Sequence, residues 1–178
     1  MVACRAMRLS AAALLMLPGC RGLDVVPVLE GDHCALPREE VVACTLDGDT
    51  FNVATCGGES VRMLGVDAPE IAHDDAEVPD CWGPESQAYL NARLEGQTVR
   101  LEFDSVCTDA YDRTLAYAWL PDGDPEDEAD DILINEEIIR LGYAVFYEDF
   151  GDIRLAQLLT NAEWSAESAD AGIWGACE

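Results

Sequence analysis

The chain has 178 residues, enough for one domain of ordinary size whose core needs no metal or disulfide to fold. Its formal net charge is −26, it contains no lysine, and all ten of its basic residues are arginine. This composition excludes the basic surface by which non-specific nucleic-acid binders hold phosphate.

The N-terminus is typical of an export signal. Two arginines precede an almost wholly apolar run at residues 9–17, which is too short to span a bilayer. The run is followed by Pro-Gly-Cys, which resembles the lipobox of bacterial lipoproteins. We therefore predict a lipoprotein-type signal peptide at residues 1–19, acylation of Cys20 and a membrane contact through that anchor alone. Because Pro18 is unusual in a lipobox, plain cleavage and secretion, with Cys20 an ordinary tail cysteine, stays open.

Residues 20–38 contain proline, glycine and charges without periodicity, which is typical of a linker or N-terminal arm. We expect the folded domain at residues 39–178. Acids dominate residues 122–131, which we expect to form a solvated loop. In the first half of the domain, apolar residues alternate with polar or β-branched ones, which predicts a three-stranded meander with strands at 40–46, 50–55 and 60–66.

The rest of the domain mixes helices and strands. A Gly-Pro-Glu sequence predicts the start of a helix at 83–94. Aliphatic and aromatic residues at alternate positions predict strands at 98–103 and 113–120. Apolar residues at helical spacing predict helices at 133–141 and 152–169. Five strands in meander order with three helices predict an α+β fold that is mainly β, a five-stranded OB-fold barrel.

Three short segments carry most of the chemical information. An Asp-Gly-Asp-Thr turn contains Asp49, a second segment contains Arg62, Asp67 and Glu70, and a third contains Arg113. Clustered carboxylate oxygens hold a hard divalent cation, and the planar guanidinium group binds phosphate oxygens in bidentate fashion. The set therefore predicts a divalent cation beside a phosphodiester.

Export also makes disulfides plausible among the six cysteines that follow Cys20. Six cysteines allow fifteen pairings, and the lack of a Cys-x-x-Cys motif argues against a zinc site. We predict that Cys81 pairs with Cys107, because each precedes a segment that should converge on the site. Cys34 with Cys56 is a second suggestion, if the first two strands pair as a hairpin.

Several separated motifs agree in order and spacing with one known family. They are Asp-Gly-Asp-Thr at 47–50, Arg62 five residues before Asp67, Asp67-x-Pro69-Glu70, Trp82-Gly83-Pro84-Glu85, Tyr111-x-Arg113 with Leu115-Ala116-Tyr117, Asn135-Glu136 ahead of Gly142, and Gly172-Ile173-Trp174. Together they resemble the staphylococcal nuclease (thermonuclease) family over residues 41–174. The resemblance implies a calcium-dependent nuclease.

By this resemblance, Asp49, Asp67 and the backbone carbonyl of Ala68 are the expected calcium ligands. Calcium tolerates an irregular shell of carboxylates, carbonyls and waters, so two acids plus substrate phosphate and water suffice. The resemblance assigns Glu70 to orienting and deprotonating the attacking water. A glutamate with an ordinary pKa near ~4.3 is ionised at neutral pH but is a weak base.

The resemblance also assigns Arg62 and Arg113 to binding the phosphate and stabilising the extra negative charge of the five-coordinate transition state. Family members can stack a nucleobase on tyrosine side chains. Tyr111 and Tyr147 are the candidates here, and each has packing as its alternative role.

Two residues depart from the family pattern: Asp112 stands where glycine is usual, and Ala110 where a lysine or arginine is common. Both changes are expected to weaken phosphate binding. The leading hypothesis is a monomeric, calcium-dependent phosphodiesterase that hydrolyses DNA and RNA and leaves 3′-phosphate ends, as the family does. The alternative is a catalytically inactive nuclease-fold lipoprotein that acts as a binding module, and a third is a calcium-responsive interaction domain.

Overall fold

Five strands close into a barrel in this computed structural model, which describes residues 33–72, 78–121 and 131–177. In this part of the chain the strands are β1 (Arg38–Thr45), β2 (Thr50–Val53), β3 (Glu59–Met63), β4 (Val66–Asp67), β5 (Thr98–Glu102), β6 (Thr114–Leu120), β7 (Ile132–Leu133) and β8 (Val145–Phe146). The barrel order is β3-β2-β1-β5-β6, and a parallel pairing of β3 with β6 completes the ring. The predicted five-stranded OB-type barrel is confirmed.

The same residues contain four α-helices, α1 (Gly83–Leu94), α2 (Ile134–Arg140), α3 (Ala156–Ser168) and the short α4 (Ile173–Ala176), and one 3-10 helix (Glu148–Phe150). The three predicted helices are thus present, and α4 is an addition. None of the helices in these described ranges is long and apolar enough to cross a bilayer. The predicted signal peptide at 1–19, Cys20 and nearly all of the predicted loop at 122–131 lie outside the described residues.

Helix α3 begins four residues later than predicted because a turn occupies the start of its apolar pattern. Gly151 adopts a positive φ of 80°, and the N–H of Ile153 donates to the Gly151 carbonyl at 3.0 Å. The buried Ile153 side chain packs over Gly65, where an added Cβ would lie 2.8 Å from its Cδ1. The apolar residue therefore belongs to the core without belonging to the helix.

The hydrophobic core continues from the barrel to the helices that cover it. Its largest fully buried side chains come from β2, β3, β5 and β6 and from all three long helices: Phe51, Met63, Leu101, Leu115, Tyr117, Leu90, Leu94, Ile138, Ile139 and Leu159. Burying each such side chain stabilises the fold by about 1.5–3 kcal/mol, which offsets the chain entropy lost on folding.

Among the described residues there are three disulfides, two of which join segments remote in sequence, and neither suggested pairing is among them. The bonds are Cys34–Cys107, Cys44–Cys56 and Cys81–Cys177. The predicted pairing of Cys81 with Cys107 was therefore wrong, and so was Cys34 with Cys56. The N-terminal arm explains the first bond, because the Cys34 N–H donates to the Asp104 carbonyl at 2.8 Å and lays the arm beside the loop that carries Cys107.

A buried asparagine ties α2 to the barrel. The Asn135 side-chain oxygen accepts a hydrogen bond from the Ala118 N–H at 2.8 Å, and its nitrogen donates to the carbonyls of Leu64 at 2.9 Å and Ala116 at 3.3 Å. Asn135 is fully buried. Water therefore cannot replace these bonds when the side chain is removed.

We expect Asn135→Ala to lower the free energy of unfolding by about 3 kcal/mol, because it leaves buried backbone groups unpaired. Urea unfolding of the oxidised protein measures the change. Asn161→Ala is the matched control, since Asn161 is exposed on α3, and it should cost less than about 0.5 kcal/mol. Equal losses for the two variants would contradict the role given to Asn135.

Candidate active site

The turn between β1 and β2 aims Asp49 into the protein. The Asp47 Oδ1 accepts hydrogen bonds from the N–H groups of Asp49 at 2.9 Å and Thr50 at 2.7 Å, which fixes the turn. Gly48 packs so closely that an added Cβ would lie 2.6 Å from the Cβ of Ala68. The Thr50 hydroxyl donates to Asp49 Oδ1 at 2.9 Å. As a result only 1% of Asp49 is exposed.

The guanidinium group of Arg62 holds two carboxylates together. Arg62 lies on β3 opposite Thr50. One terminal nitrogen forms an ion pair with Asp49 Oδ1, and the other lies 2.8 Å from Asp67 Oδ1 and 3.0 Å from the carbonyl of Val66. The Arg62 Nε is buried and has no hydrogen-bond partner in the described part of the chain.

Burial raises the pKa of Asp49 to about 8, and repulsion by the carboxylate of Asp47 adds to the effect. The positive charge of Arg62 and the hydrogen bond from the Ala68 N–H at 2.8 Å act in the opposite direction and do not outweigh burial. A second positive charge at this position would favour the ionised carboxylate. Asp49 therefore keeps its proton to a higher pH than an exposed aspartate does.

The predicted calcium ligands meet part of the requirement for a metal site. Asp49 and Asp67 share one guanidinium group, and Ala68 follows Asp67 directly and contacts Asp49. Within residues 33–72, 78–121 and 131–177, three or more acidic, histidine or cysteine side chains do not gather as a metal cluster. Two carboxylates and a carbonyl are hard oxygen donors, so they fit a calcium ion whose other ligands are water and substrate.

Glu70 lies just beyond these ligands in the loop between β4 and α1. Its carbonyl accepts a hydrogen bond from the Asp80 N–H at 2.9 Å, and its own N–H lies 3.3 Å from Asp80 Oδ2. The start of α1 packs against it, since an added Cβ on Gly83 would lie 2.3 Å from the Glu70 carbonyl oxygen. Glu70 is exposed to solvent. Its backbone is therefore fixed while its side chain is accessible.

Arg113 directly precedes β6, the strand that runs parallel to β3 and pairs with it. Leu115 lies opposite Arg62 in this pairing, so Arg113 comes two positions before the residue that faces Arg62. Its Nε forms an ion pair with Asp109 Oδ2 at 2.6 Å, and its guanidinium group lies 5.4 Å from the ring centre of Tyr111. Arg113 thus forms its ion pair with Asp109, whereas Arg62 pairs with the predicted calcium ligands Asp49 and Asp67.

Sequence reasoning missed Asp109, although its position four residues before Arg113 and its turn-forming chemistry were available signals. The same loop explains the departure at residue 112. Asp112 has a positive φ of 60°, a conformation that glycine adopts without strain and aspartate tolerates better than most residues. The substitution therefore keeps the backbone turn and adds an acid beside Arg113.

The two tyrosines predicted to contact nucleobases lie in different segments of the fold. Tyr111 is 80% exposed. Tyr147 follows β8, which pairs with β4 and sets Val145 opposite Asp67. Acidic neighbours, chiefly Asp149, raise the pKa of Tyr147. The Tyr147 N–H donates to the Gly65 carbonyl at 3.1 Å and its ring packs edge-on against Phe150, whereas Tyr111 lies beside Arg113.

A cavity of about 200 Å³ lies between the loop that follows β5 and the segment that precedes α3. Its apolar lining comes from Leu64, Leu115, Phe150 and Ile153. Asp109, the partner of Arg113, also lines it. An apolar recess thus adjoins the loop that holds the second arginine.

Comparison with known proteins gives a consistent result. The family model described as "Staphylococcal nuclease homologue" matches residues 60–176. The chain is similar to "Thermonuclease" of Staphylococcus intermedius, with 33% identity over 135 residues that cover 75% of this chain and 74% of the relative. It is 32% identical to "Thermonuclease" of Staphylococcus hyicus, covering 72% and 71% of the two chains, and 28% identical to "Endonuclease Htp3" of Saprolegnia parasitica, covering 84% and 68%. The chain therefore belongs to the staphylococcal nuclease family.

Proposed function

We propose that the chain is a nuclease that hydrolyses phosphodiester bonds of DNA and RNA with calcium and leaves 3′-phosphate ends. The observation that carries the proposal is the buried Arg62 guanidinium group, which contacts both Asp49 and Asp67. Carboxylate oxygens are ligands for a hard cation, and a guanidinium group donates hydrogen bonds to phosphate oxygens. The contact therefore brings a set of possible cation ligands next to a group that can bind phosphate. Relatives named thermonuclease and endonuclease support nuclease activity.

Each residue then has a defined task. Asp49, Asp67 and the carbonyl of Ala68 would hold calcium, which when bound neutralises charge on the phosphate. Arg62 would donate hydrogen bonds to the phosphate through its terminal nitrogens, in competition with Asp49 and Asp67. Glu70, with its fixed backbone and accessible side chain, orients the attacking water and accepts its proton.

Arg113 supplies the second set of phosphate donors. Asp109 holds this guanidinium group through Nε, which leaves the two terminal nitrogens directed away from that bond for the transition-state oxygens. Tyr111 and Tyr147 are proposed to contact the nucleobases, and the apolar cavity beside Asp109 supports a base-binding role for this region.

The proposal is tested with purified protein and single-stranded DNA. We expect cleavage with calcium and none with a chelator, and a loss of about 10²- to 10³-fold for Arg113→Gln, because a preorganised charge donor contributes on this order. Glu70→Gln should also lose most activity. Gel analysis measures the rate, and labelling by a kinase that requires a free 5′-hydroxyl identifies the ends.

Arg140→Gln is the matched control for Arg113→Gln, because Arg140 is exposed on α2 and pairs with Glu136 four residues earlier. Its rate should equal that of the wild type. If the wild type binds calcium but does not cleave DNA, the proposed reaction is wrong, and the result favours the alternative of an inactive binding module.

Calcium affinity should increase with pH up to about pH 8. The folded, metal-free chain keeps a proton on Asp49 between pH 3.8 and about 8, whereas the unfolded chain does not. This proton favours folding at low pH, and that contribution to the free energy of unfolding is lost as pH rises through about 8. It also competes with calcium, so the apparent affinity should rise by up to about tenfold per pH unit between pH 6 and 8.

Calorimetry in two buffers of different ionisation enthalpy measures both the affinity and the proton released. Asp47→Asn provides the comparison, since removing this neighbouring charge should lower the pKa of Asp49 and flatten the pH dependence. A constant affinity for the wild type from pH 6 to 8 would contradict the protonated state of Asp49.

We also propose export of a monomer that is anchored through acylated Cys20 or released by plain cleavage. The three disulfides support an oxidising compartment. Mass spectrometry of the mature N-terminus distinguishes the two cases, and an uncleaved N-terminus would contradict both.

A further inference from the structure

The disulfide between Cys81 and Cys177 connects two remote segments of the chain. The two residues are 96 positions apart, and their Cα atoms lie 5.8 Å from each other. Cys81 comes two residues before α1, at the end of the loop that contains Glu70, and Cys177 directly follows α4. The bond thus connects the C-terminal segment to the loop that contains Glu70, the residue proposed to activate water.

The Cys81 side of the bond is in close contact with the backbone of Glu70. Asp80, the residue before Cys81, donates its N–H to the Glu70 carbonyl and places its carboxylate 3.3 Å from the Glu70 N–H. Gly83, two residues after Cys81, packs so tightly on the same carbonyl that an added Cβ would lie 2.3 Å from its oxygen. The residues on either side of Cys81 thus fix Glu70.

The Cys177 side is anchored in the helical part of the fold. The Ile173 N–H donates to the Gly142 carbonyl at 2.9 Å, and an added Cβ on Gly172 would lie 2.0 Å from that carbonyl oxygen. The Cys177 N–H donates to the Ile173 carbonyl at 3.0 Å. The C-terminal segment therefore packs closely on the turn that follows α2.

We propose that the Cys81–Cys177 disulfide is a positioning element for Glu70, an inference that rests on the proposed function. Residues 69–72 and 78–80 have no regular secondary structure, so strand or helix hydrogen bonds do not hold this part of the loop. Loops of this kind open locally at low free-energy cost. The disulfide connects the loop to the C-terminal segment and keeps the Glu70 carboxylate at the distance that water activation requires.

Removing the bond in Cys81→Ser/Cys177→Ser should lower kcat by about 10- to 100-fold, because displacing a catalytic group by about 1 Å costs on this order. KM and the calcium dissociation constant should stay unchanged, since Asp49, Asp67 and Arg62 do not depend on this bond. The matched control is Cys44→Ser/Cys56→Ser, which removes a bond between β1 and the turn after β2 and should keep kcat.

A double-mutant cycle separates positioning from general weakening of the fold. If the disulfide acts through Glu70, adding Cys81→Ser/Cys177→Ser to Glu70→Gln should produce no further loss of kcat. An equal loss in both backgrounds would overturn the proposal, and so would an unchanged kcat in the wild-type background.

Asp80 offers a second variant that retains all three disulfides. Asp80→Ala removes the acceptor for the Glu70 N–H and should lower kcat without changing KM, whereas Asp80→Asn keeps a side-chain oxygen there and should retain the rate. If Asp80→Ala does not lower kcat, Cys81 does not act on Glu70 through Asp80 and the proposal is wrong. This result can be obtained even if Cys81→Ser/Cys177→Ser folds poorly.

Amide hydrogen exchange at Asp80 provides a test that needs no activity, because this N–H is bonded to the Glu70 carbonyl. Exchange measured by NMR and corrected for the neighbouring serine should be at least tenfold faster without the Cys81–Cys177 bond and unchanged without Cys44–Cys56. If the wild type does not cleave nucleic acid, the proposed function is wrong. The amide hydrogen exchange of Asp80 then tests, without any measurement of activity, whether the disulfide positions Glu70. Unchanged exchange at Asp80 would overturn the inference.

Discussion

The site depends on one interaction, the contact of the buried Arg62 guanidinium group with the carboxylates of Asp49 and Asp67. Two acids at close range repel each other, and a cation between them compensates that repulsion. The contact also connects β2, β3 and β4, because Thr50 lies opposite Arg62 and bonds to Asp49. Loss of this guanidinium group would remove the positive charge that favours the ionised form of Asp49 and would leave the buried carboxyl without its hydrogen bond from Arg62.

The strong acidity of the chain affects phosphate binding through the acids that pair with its arginines. All seven arginines of the described residues form ion pairs with acids. Arg62 and Arg113 are among them, so a phosphate must compete with Asp49, Asp67 and Asp109 for the same donors. Binding of a cation to the Arg62 partners would weaken that competition. Cation and substrate are therefore expected to favour each other's binding at this site.

Local patterns predicted most of the fold, because strand alternation and helix periodicity are properties of short segments. The contact of Arg62 with Asp49 and Asp67 was expected instead from the motifs and the family resemblance. The late start of α3 was missed, since Ile153 belongs to the apolar pattern but packs from a turn. The partners of Cys81 and Arg113 were missed for a different reason. Cys177 is 96 residues away, and only the three-dimensional fold brings it near. Asp109 is close in sequence, but an acid at that spacing is common and does not by itself indicate contact.

The parallel closure of the barrel has a consequence for the order in which the molecule is assembled. Strands β3 and β6 are separated by more than fifty positions along the chain, and their pairing brings the Arg62 and Arg113 segments side by side. Contacts between remote segments form slowly and only after both segments exist. During synthesis, the first half of the domain therefore carries Arg62 but not Arg113, so only one of the two proposed phosphate donors is present. On the proposed mechanism, a nascent or truncated chain that lacks Arg113 and β6 would not cleave nucleic acid at the full rate.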